Sequence, residues 1–594
     1  MLMEKKTSSF KNIIWVVKSI YRYDSRYLAI YGMAMAIFGI LPPFITIITQ
    51  NIINSLQKRT GFQTLAVLVV SYIAIDLFQI LLEYFFEYYK IKFMQGYSLY
   101  FNQKVLQKAG QLSLKSYENS EIYDMISRAQ YETDGKLLTY FESFAGVFSG
   151  AITLTSYLII LIRFRVWIVL CILIIPVIKF QINRKINKET FSVMRERTND
   201  SRKCWYAQHV LTYGEAYKEL KTYNLFQYFI EKYTGYNKKF NQEDLKIKKK
   251  SSLELGSATV IESFVDGGLF AYIIFAGYTG EILVGNVMTY MKTITQVKTL
   301  VMTILQTFAG MNQESMFIDQ LREYLDLPEE ESYDTKNQVD IKSIDSIEIK
   351  HLYYRYKSEQ QYVLKDINLC IDGSETVAIV GQNGSGKTTL LKIIMGFYRD
   401  YEGEIYINGI ELKRIKKESI LKRIATVFQD FYKYEATFRE NIAYGNLATL
   451  SDDEQLNTIC QKFDLCNLIN ETDEKLDCQI GYWFDNGKQI SLGQWQKIGI
   501  ARAFVKDADL YILDEPNAAL DAISESRLFD LYLELLENKK GIIVAHKFNH
   551  LVKKVDKIIV LEQGVLTGCG THEELLKINK IYKELYETQI GGGY

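Results

Sequence analysis

The stretch "GQNGSGKTT", Gly381 to Thr389, brings two chemistries to one place. Its glycines let the backbone turn its N–H groups around a phosphate, and its lysine and hydroxyls add a cation and a metal-binding oxygen. The spacing Gly381-x4-Gly386-Lys387-Thr388 follows the apolar run "TVAIV", Thr376 to Val380, and precedes "LLKII". A buried strand thus feeds a loop and then a helix, which is the setting a P-loop requires. Gly381, Asn383, Gly384, Ser385, Gly386 and Thr389 are assigned to the phosphates, Lys387 to the terminal ones and Thr388 to Mg²⁺. Farther along, "LYILDEP" sets Asp514 and Glu515 at the end of an apolar strand. A carboxylate there suits Mg²⁺, which assigns Asp514, and Glu515 is placed to polarise the attacking water as general base. Two more apolar runs end in polar residues: "RIATVFQD" at Gln429 and "GIIVAH" at His546. Strand C-termini of a parallel sheet gather at one ligand crevice. Gln429 is therefore expected at Mg²⁺ or water and His546 at the γ-phosphate. The cofactors implied are ATP and Mg²⁺.

These residues need an α/β domain to hold them, and residues 346–594 read as one. Residues 326–345, with Pro328 and a polar run after it, read as a linker. The sequence before the linker is different. Tyr27 to Leu56 and Ser143 to Ile162 contain no charged residue. At about 1.5 Å per residue each can cross a hydrocarbon layer of about 30 Å. Four weaker spans are Leu65 to Phe86, Val166 to Ile178, Ala258 to Tyr278 and Ile282 to Ala309, so residues 27–325 are expected to hold six membrane spans. Charges inside spans normally face a bundle interior or a watery cavity. Asp76, Glu83, Glu262, Asp266 and Lys292 are accordingly candidates for a polar pathway.

Residues 1–26 read as an amphipathic elbow, with Phe10, Ile13, Ile14, Val17, Ile20 and Tyr21 on one face. Six cations precede Tyr27 against Glu4 and Asp24, which predicts a cytoplasmic N-terminus. With six spans the C-terminal half is cytoplasmic too. The long charged stretches between spans two and three, and four and five, then read as helical extensions into the cytoplasm. The whole is a multi-pass protein of the cell membrane, in contact with the lipid bilayer.

The 594-residue chain balances 70 Lys and Arg against 70 Asp and Glu, so its charge gives no sign of a nucleic-acid partner. Its seven Cys and five His show no metal-ligand spacing, which argues against a zinc site.

Taken in order, "YYRY", "GQNGSGKTT", "VFQD", "ISLGQWQ", "LYILDEP", "AALD" and "VAH" resemble the motifs of ATP-binding-cassette (ABC) exporters, over nearly the whole chain. The resemblance implies a half-transporter: an α-helical membrane domain of six transmembrane helices with long cytoplasmic extensions, then an α/β P-loop ATPase domain. It implies that Tyr356, 31 residues before Lys387, stacks on adenine. It also implies a head-to-tail homodimer in which Ser491, Gly493 and Gln494 close the site of the other copy, with Asp521 at the seam. The usual signature is Leu-Ser-Gly-Gly-Gln; here Ile490 replaces Leu and Leu492 the first Gly, which adds bulk and loses positive-φ freedom. The segment "GYWFDNGKQISLGQWQK" and the "YENSEIYDMISRA" run from Tyr117 are similar to exporters of lantibiotics and related bacteriocin peptides. The expected activity is ATP-driven export of such a peptide, precursor or mature. With neither Cys nor His before the first span, leader cleavage is expected to fall to another protein. The nearest alternative keeps the machine and changes the cargo to a drug or a lipid. An ATP-gated channel is opposed by Glu515 and His546, and a soluble DNA-repair ATPase by the charge-free spans.

Overall fold

The computed structural model describes residues 9–591, apart from 120–121, 123–124, 127–134, 331–337, 358–360, 516–521 and 545–549. The chain divides into two compact units. Unit one holds the residues up to Leu112 and Asn119–Leu327; unit two holds Ser113–Glu118 and Pro328–Tyr594.

Unit one is helical. Its principal helices are α1 (Ser9–Tyr23), α2 (Ser25–Lys58), α3 (Phe62–Gly110), and, after the short α4 (Leu114–Tyr117) that groups with unit two, α5 (Lys136–Phe164), α6 (Val166–Glu196), α7 (Phe226–Tyr278) and α8 (Val284–Leu325), with further helices at Thr198–Thr212 and Tyr217–Thr222. Five of them, α2, α3, α5, α6 and α7, are long and apolar enough to cross a membrane. The expected sixth span falls on α8, a continuous helix of 42 residues whose apolar run is interrupted by Lys292, Lys298 and many Thr and Gln. The helices run on far beyond their apolar stretches: α3 has 49 residues and α7 has 53. Pro42-Pro43 lie inside α2 and Pro176 inside α6, and each helix continues past them.

The side of α1 that packs on protein takes in only part of its apolar face. Asn12, Ile13, Val16 and Ile20 are buried, whereas Ile14 and Tyr21 are exposed. The helix turns toward protein as well as away from it, so a polar residue belongs on its inner face. The Asn12 amide donates to Ser315 O at 3.0 Å, Ser315 Oγ at 2.8 Å and Asp319 Oδ1 at 2.9 Å. Its oxygen accepts from Arg322 at 2.8 Å, so α1 is bonded to the end of α8.

Of the candidate charges inside the spans, Glu83, Glu262 and Asp266 find partners. Glu262 of α7 pairs with Lys179 of α6 and, at 3.1 Å, with Lys298 of α8, and Lys298 also pairs with Asp266. All four side chains are less than a quarter exposed. An Arg165–Glu281 pair at 2.5 Å brings the α5–α6 and α7–α8 turns to the same end. Counted from that end, the four charges lie about 18–24 Å down their helices, a depth inside the apolar stretch. Glu83 stays exposed and accepts from Gln79 at 2.9 Å.

Among its described residues unit two contains ten strands: β1 (Ser346–Tyr354), β2 (Leu364–Asp372), β3 (Thr376–Val380), β4 (Glu402–Ile407), β5 (Ile410–Glu411), β6 (Ile424–Val427), β7 (Leu510–Asp514), β8 (Lys540–Val544), β9 (Lys557–Glu562) and β10 (Val565–Gly570). One sheet has the order β2-β1-β4-β5, the other β10-β9-β3-β8-β7-β6. In the second, β9, β3, β8, β7 and β6 are parallel. Successive residues of β3 serve opposite cores: Val377 and Ile379 in one, Ala378 and Val380 in the other. Both faces are covered, which is why these strands read as unbroken apolar runs.

Candidate functional site

The parallel register aligns the strand ends. Ile379 pairs with Val544, Leu513 with Ile543 and Val427 with Leu513. The loops after β3, β6 and β7 therefore leave the sheet along one edge. After β3 the chain passes through Gly384 and Gly386, with φ of 77° and 101°. A Cβ at Gly386 would meet Leu364 Cδ2 at 2.7 Å. Only glycine combines that φ with that approach. Gly386 is also the N-cap of α9 (Lys387–Ile394), whose free N–H groups point at the loop.

The loop, α9 and the neighbouring strand ends enclose a cavity of about 740 Å³. Asn383, Gly384, Ser385, Gly386, Lys387, Thr388 and Thr389 form one wall; Tyr356 and Val363, Gln429 and Glu515 supply the others. Gly381 begins the loop, packed where a Cβ would run into the Leu561 carbonyl. Lys387 is buried, and its ammonium donates to the carbonyls of Gly381 at 2.9 Å and Gln382 at 3.0 Å. Burial holds its pKa below the usual lysine range, against the pull of Glu515 and Asp514. A phosphate arriving in the cavity reinforces the charged form.

At the end of β7, Asp514 is buried and accepts from Thr388 Oγ1 at 3.1 Å through one oxygen. Its other oxygen is buried with no hydrogen-bond partner among the described residues. Burial pushes this carboxyl up from the usual aspartate range, opposed by the Thr388 bond. An orphaned buried carboxylate oxygen beside a hydroxyl is a donor set that suits a hard divalent cation such as Mg²⁺. Glu515 follows with φ of 48°, a left-handed conformation that costs a non-glycine residue energy and recurs at functional sites. Its Oε2 accepts from Gln429 Nε2 at 2.9 Å.

Tyr356 and Thr389 share a 2.9 Å hydrogen bond between their hydroxyls. Spacing alone did not reveal that bond, and nothing in the sequence distinguished Val363 from any apolar residue before a strand. His546 and Asp521 lie outside the described residues. Ser491, Gly493 and Gln494 are not in the cavity wall. They open the helix α10 (Leu492–Phe504) through a capping box: Ser491 Oγ accepts from Gln494 N at 3.2 Å, and Gln494 Oε1 from Ser491 N at 2.7 Å. Leu492 is 52 % exposed. Just before it, Glu435 accepts from the N–H groups of Tyr482 and Trp483, and Tyr482, Trp483 and Phe484 are all exposed.

Comparison with known proteins places this geometry. The family model described as ABC transporter matches residues 364–518. The chain is 34 % identical over 589 residues to the subtilin transport ATP-binding protein of Bacillus subtilis, covering 99 % of this chain and 94 % of that one. It is 31 % identical to the nisin transport ATP-binding protein of Lactococcus lactis subsp. lactis, over 96 % of this chain and 95 % of that one. An ATP-dependent lipid A-core flippase of Escherichia coli K12 matches at 34 % over 45 % of each chain. The solved structure of a bacterial Atm1-family ABC exporter with ATP bound shares the fold, with a TM-score of 0.73 at 19 % identity, over 97 % of this chain and 99 % of that one.

Proposed function

Because the chain belongs to the ABC exporters, multi-pass membrane proteins with a membrane domain and an ATP-hydrolysing domain on one polypeptide, we propose that its cargo is a peptide of the lantibiotic class. One observation carries this reading. The likeness to the subtilin and nisin transport proteins runs over 96 % or more of the chain, whereas that to the flippase covers 45 %. Membrane helices choose cargo, so a likeness that includes them weighs more than one confined to part of the chain. The N-terminus and unit two face the cytoplasm in this reading, and the transporter is a homodimer.

ATP is the nucleotide, with adenine on Tyr356 and phosphates in the loop from Gly381 to Thr389. Thr388, Asp514 and Gln429 would hold Mg²⁺, which when bound withdraws charge from the phosphate oxygens. Lys387 orients and neutralises the terminal phosphates. Glu515, steadied by Gln429, takes a proton from water as the water oxygen attacks the γ-phosphorus and the bond to ADP breaks. His546 holds the γ-phosphate. Ser491, Gly493 and Gln494 of a second copy close the site from the other side, with Asp521 at the seam. The exposed N-terminus of α10 supports that role, since an amphipathic helix start left in water is available to an anion.

The test is uptake of a labelled lantibiotic precursor into inverted membrane vesicles holding the full chain. ATP-dependent uptake that vanishes in Glu515→Gln is expected. Uptake of a lipid probe with none of the peptide would overturn the cargo assignment.

A further inference from the structure

Residues 113–118 lie far from the cavity in sequence, yet they belong to unit two. Ser113 caps α4, Leu114 packs on the core of the unit, and Lys115 pairs with Asp400 at 2.5 Å. Glu118 goes deeper. Its carboxylate accepts from the Tyr398 hydroxyl at 2.7 and 2.8 Å and from Lys392 Nζ at 2.9 Å. Lys392 sits on α9, one turn beyond Thr388 and Thr389.

Tyr398 is fully buried and lies almost parallel to Tyr354, with centroids 5.2 Å apart at 15°. Tyr356 meets both rings edge-on, at 5.7 Å and 83° to Tyr398 and 5.4 Å and 78° to Tyr354. These are favoured aromatic geometries. The third restraint on Tyr356 is its hydroxyl bond to Thr389. A base-stacking ring gains affinity by being held in place before the base arrives. Here the holding rings end on a carboxylate from another part of the chain.

We propose that Glu118 and Tyr398 are positioning residues for the base subsite. Glu118 fixes the Tyr398 ring, Tyr398 and Tyr354 fix Tyr356, and Tyr356 receives the adenine. Burial and the Glu118 bond both push the Tyr398 phenol well above its usual range, so it remains a donor to that carboxylate. Residues 113–118 thereby tune affinity for the base without touching the phosphates. This inference rests on the nucleotide reading above.

The experiment compares ATP with inorganic tripolyphosphate, which has the phosphates and lacks the base. Both are titrated with Mg²⁺ into the purified full-length protein, its Glu118→Gln, Tyr398→Leu and Tyr398→Phe variants, and Lys387→Ala as control. Loss of one aromatic contact predicts an ATP Kd about fivefold higher in Tyr398→Leu, with a smaller rise in Glu118→Gln. Tyr398→Phe, which keeps the ring, should recover most of the ATP affinity lost in Tyr398→Leu. Tripolyphosphate should bind all three within about twofold of the unaltered protein. An unchanged ATP Kd overturns the inference. So does an equal weakening of ATP and tripolyphosphate, which would trace the effect to α9 through Lys392 or to the fold at large. An unaltered protein that binds neither ligand, or a Lys387→Ala variant that binds both normally, would instead sink the nucleotide reading itself.

Discussion

Replacing Glu515 by Gln separates chemistry from architecture at one atom. The side chain keeps its length, and an amide oxygen can take over the 2.9 Å bond from Gln429. Exchanging a charged acceptor for a neutral one costs about 1 kcal/mol. Removing a negative charge beside Asp514 works the other way, because Glu515 is one of the groups that push the Asp514 carboxyl up. The left-handed backbone at φ 48° is no harder for Gln than for Glu. The fold should therefore stay within about 1 kcal/mol of its original stability. Turnover should not. Loss of a general base lowers a rate about 10²–10⁴-fold, or roughly 3–5 kcal/mol of activation free energy. Phosphate release from the purified protein measures the first number. ATP binding and thermal unfolding in the same preparation establish that Lys387, Thr388 and Asp514 are intact. A variant that binds ATP normally and still turns over at more than a tenth of the original rate would refute Glu515 as the base. A variant that loses binding and folded stability together would make the residue structural.

Three further expectations are open to measurement. The folded-state pKa of Asp514 lies above its unfolded value, so this group stabilises the nucleotide-free protein at low pH and loses that contribution as pH rises through the raised value. Mg²⁺ requires the ionised form, so the melting-temperature gain from MgATP should shrink on acidification before ordinary aspartates protonate; a pH-independent gain would contradict this. Ser491→Ala removes the cap on α10 and should cost about 1 kcal/mol in thermal unfolding. Ser491→Asp keeps a capping oxygen but sets a negative charge where the second copy's γ-phosphate is proposed, so it should fold normally and abolish ATPase. Normal turnover in the Asp variant would remove Ser491 from the closed site. Asn12→Leu strips Ser315, Asp319 and Arg322 of a buried partner and should lower stability by roughly 2 kcal/mol, with ATP binding to unit two unchanged; an unshifted melting curve would make that cluster dispensable.

The site was legible where local chemistry and spacing coincide. "TVAIV" followed by Gly381 and Gly386 leaves little choice but strand, loop and helix, and the strands of Asp514 and Gln429 betrayed themselves by apolar runs with polar ends. Spans with no charge were equally plain, while α8 was less so because its Lys298 is neutralised by residues on another helix. No pattern in one chain announces that Lys179 and Lys298 meet Glu262, or that Asn12 rather than Ile14 faces inward. Pairing across helices depends on which faces pack, and periodicity reports only that a face exists. The tie between Glu118 and Tyr398 spans 280 residues, so no window of local sequence contains it.

The four-charge cluster of α6, α7 and α8 bears on how the protein is made. Glu262 and Asp266 reach the bilayer on α7 with Lys179 already available on α6, but Lys298 is synthesised only afterwards. Until it emerges, two carboxylates share one ammonium, and a surplus charge at the centre of a span costs about 3 kcal/mol on insertion. That cost favours α7 and α8 entering the lipid together, as a hairpin whose charges already balance.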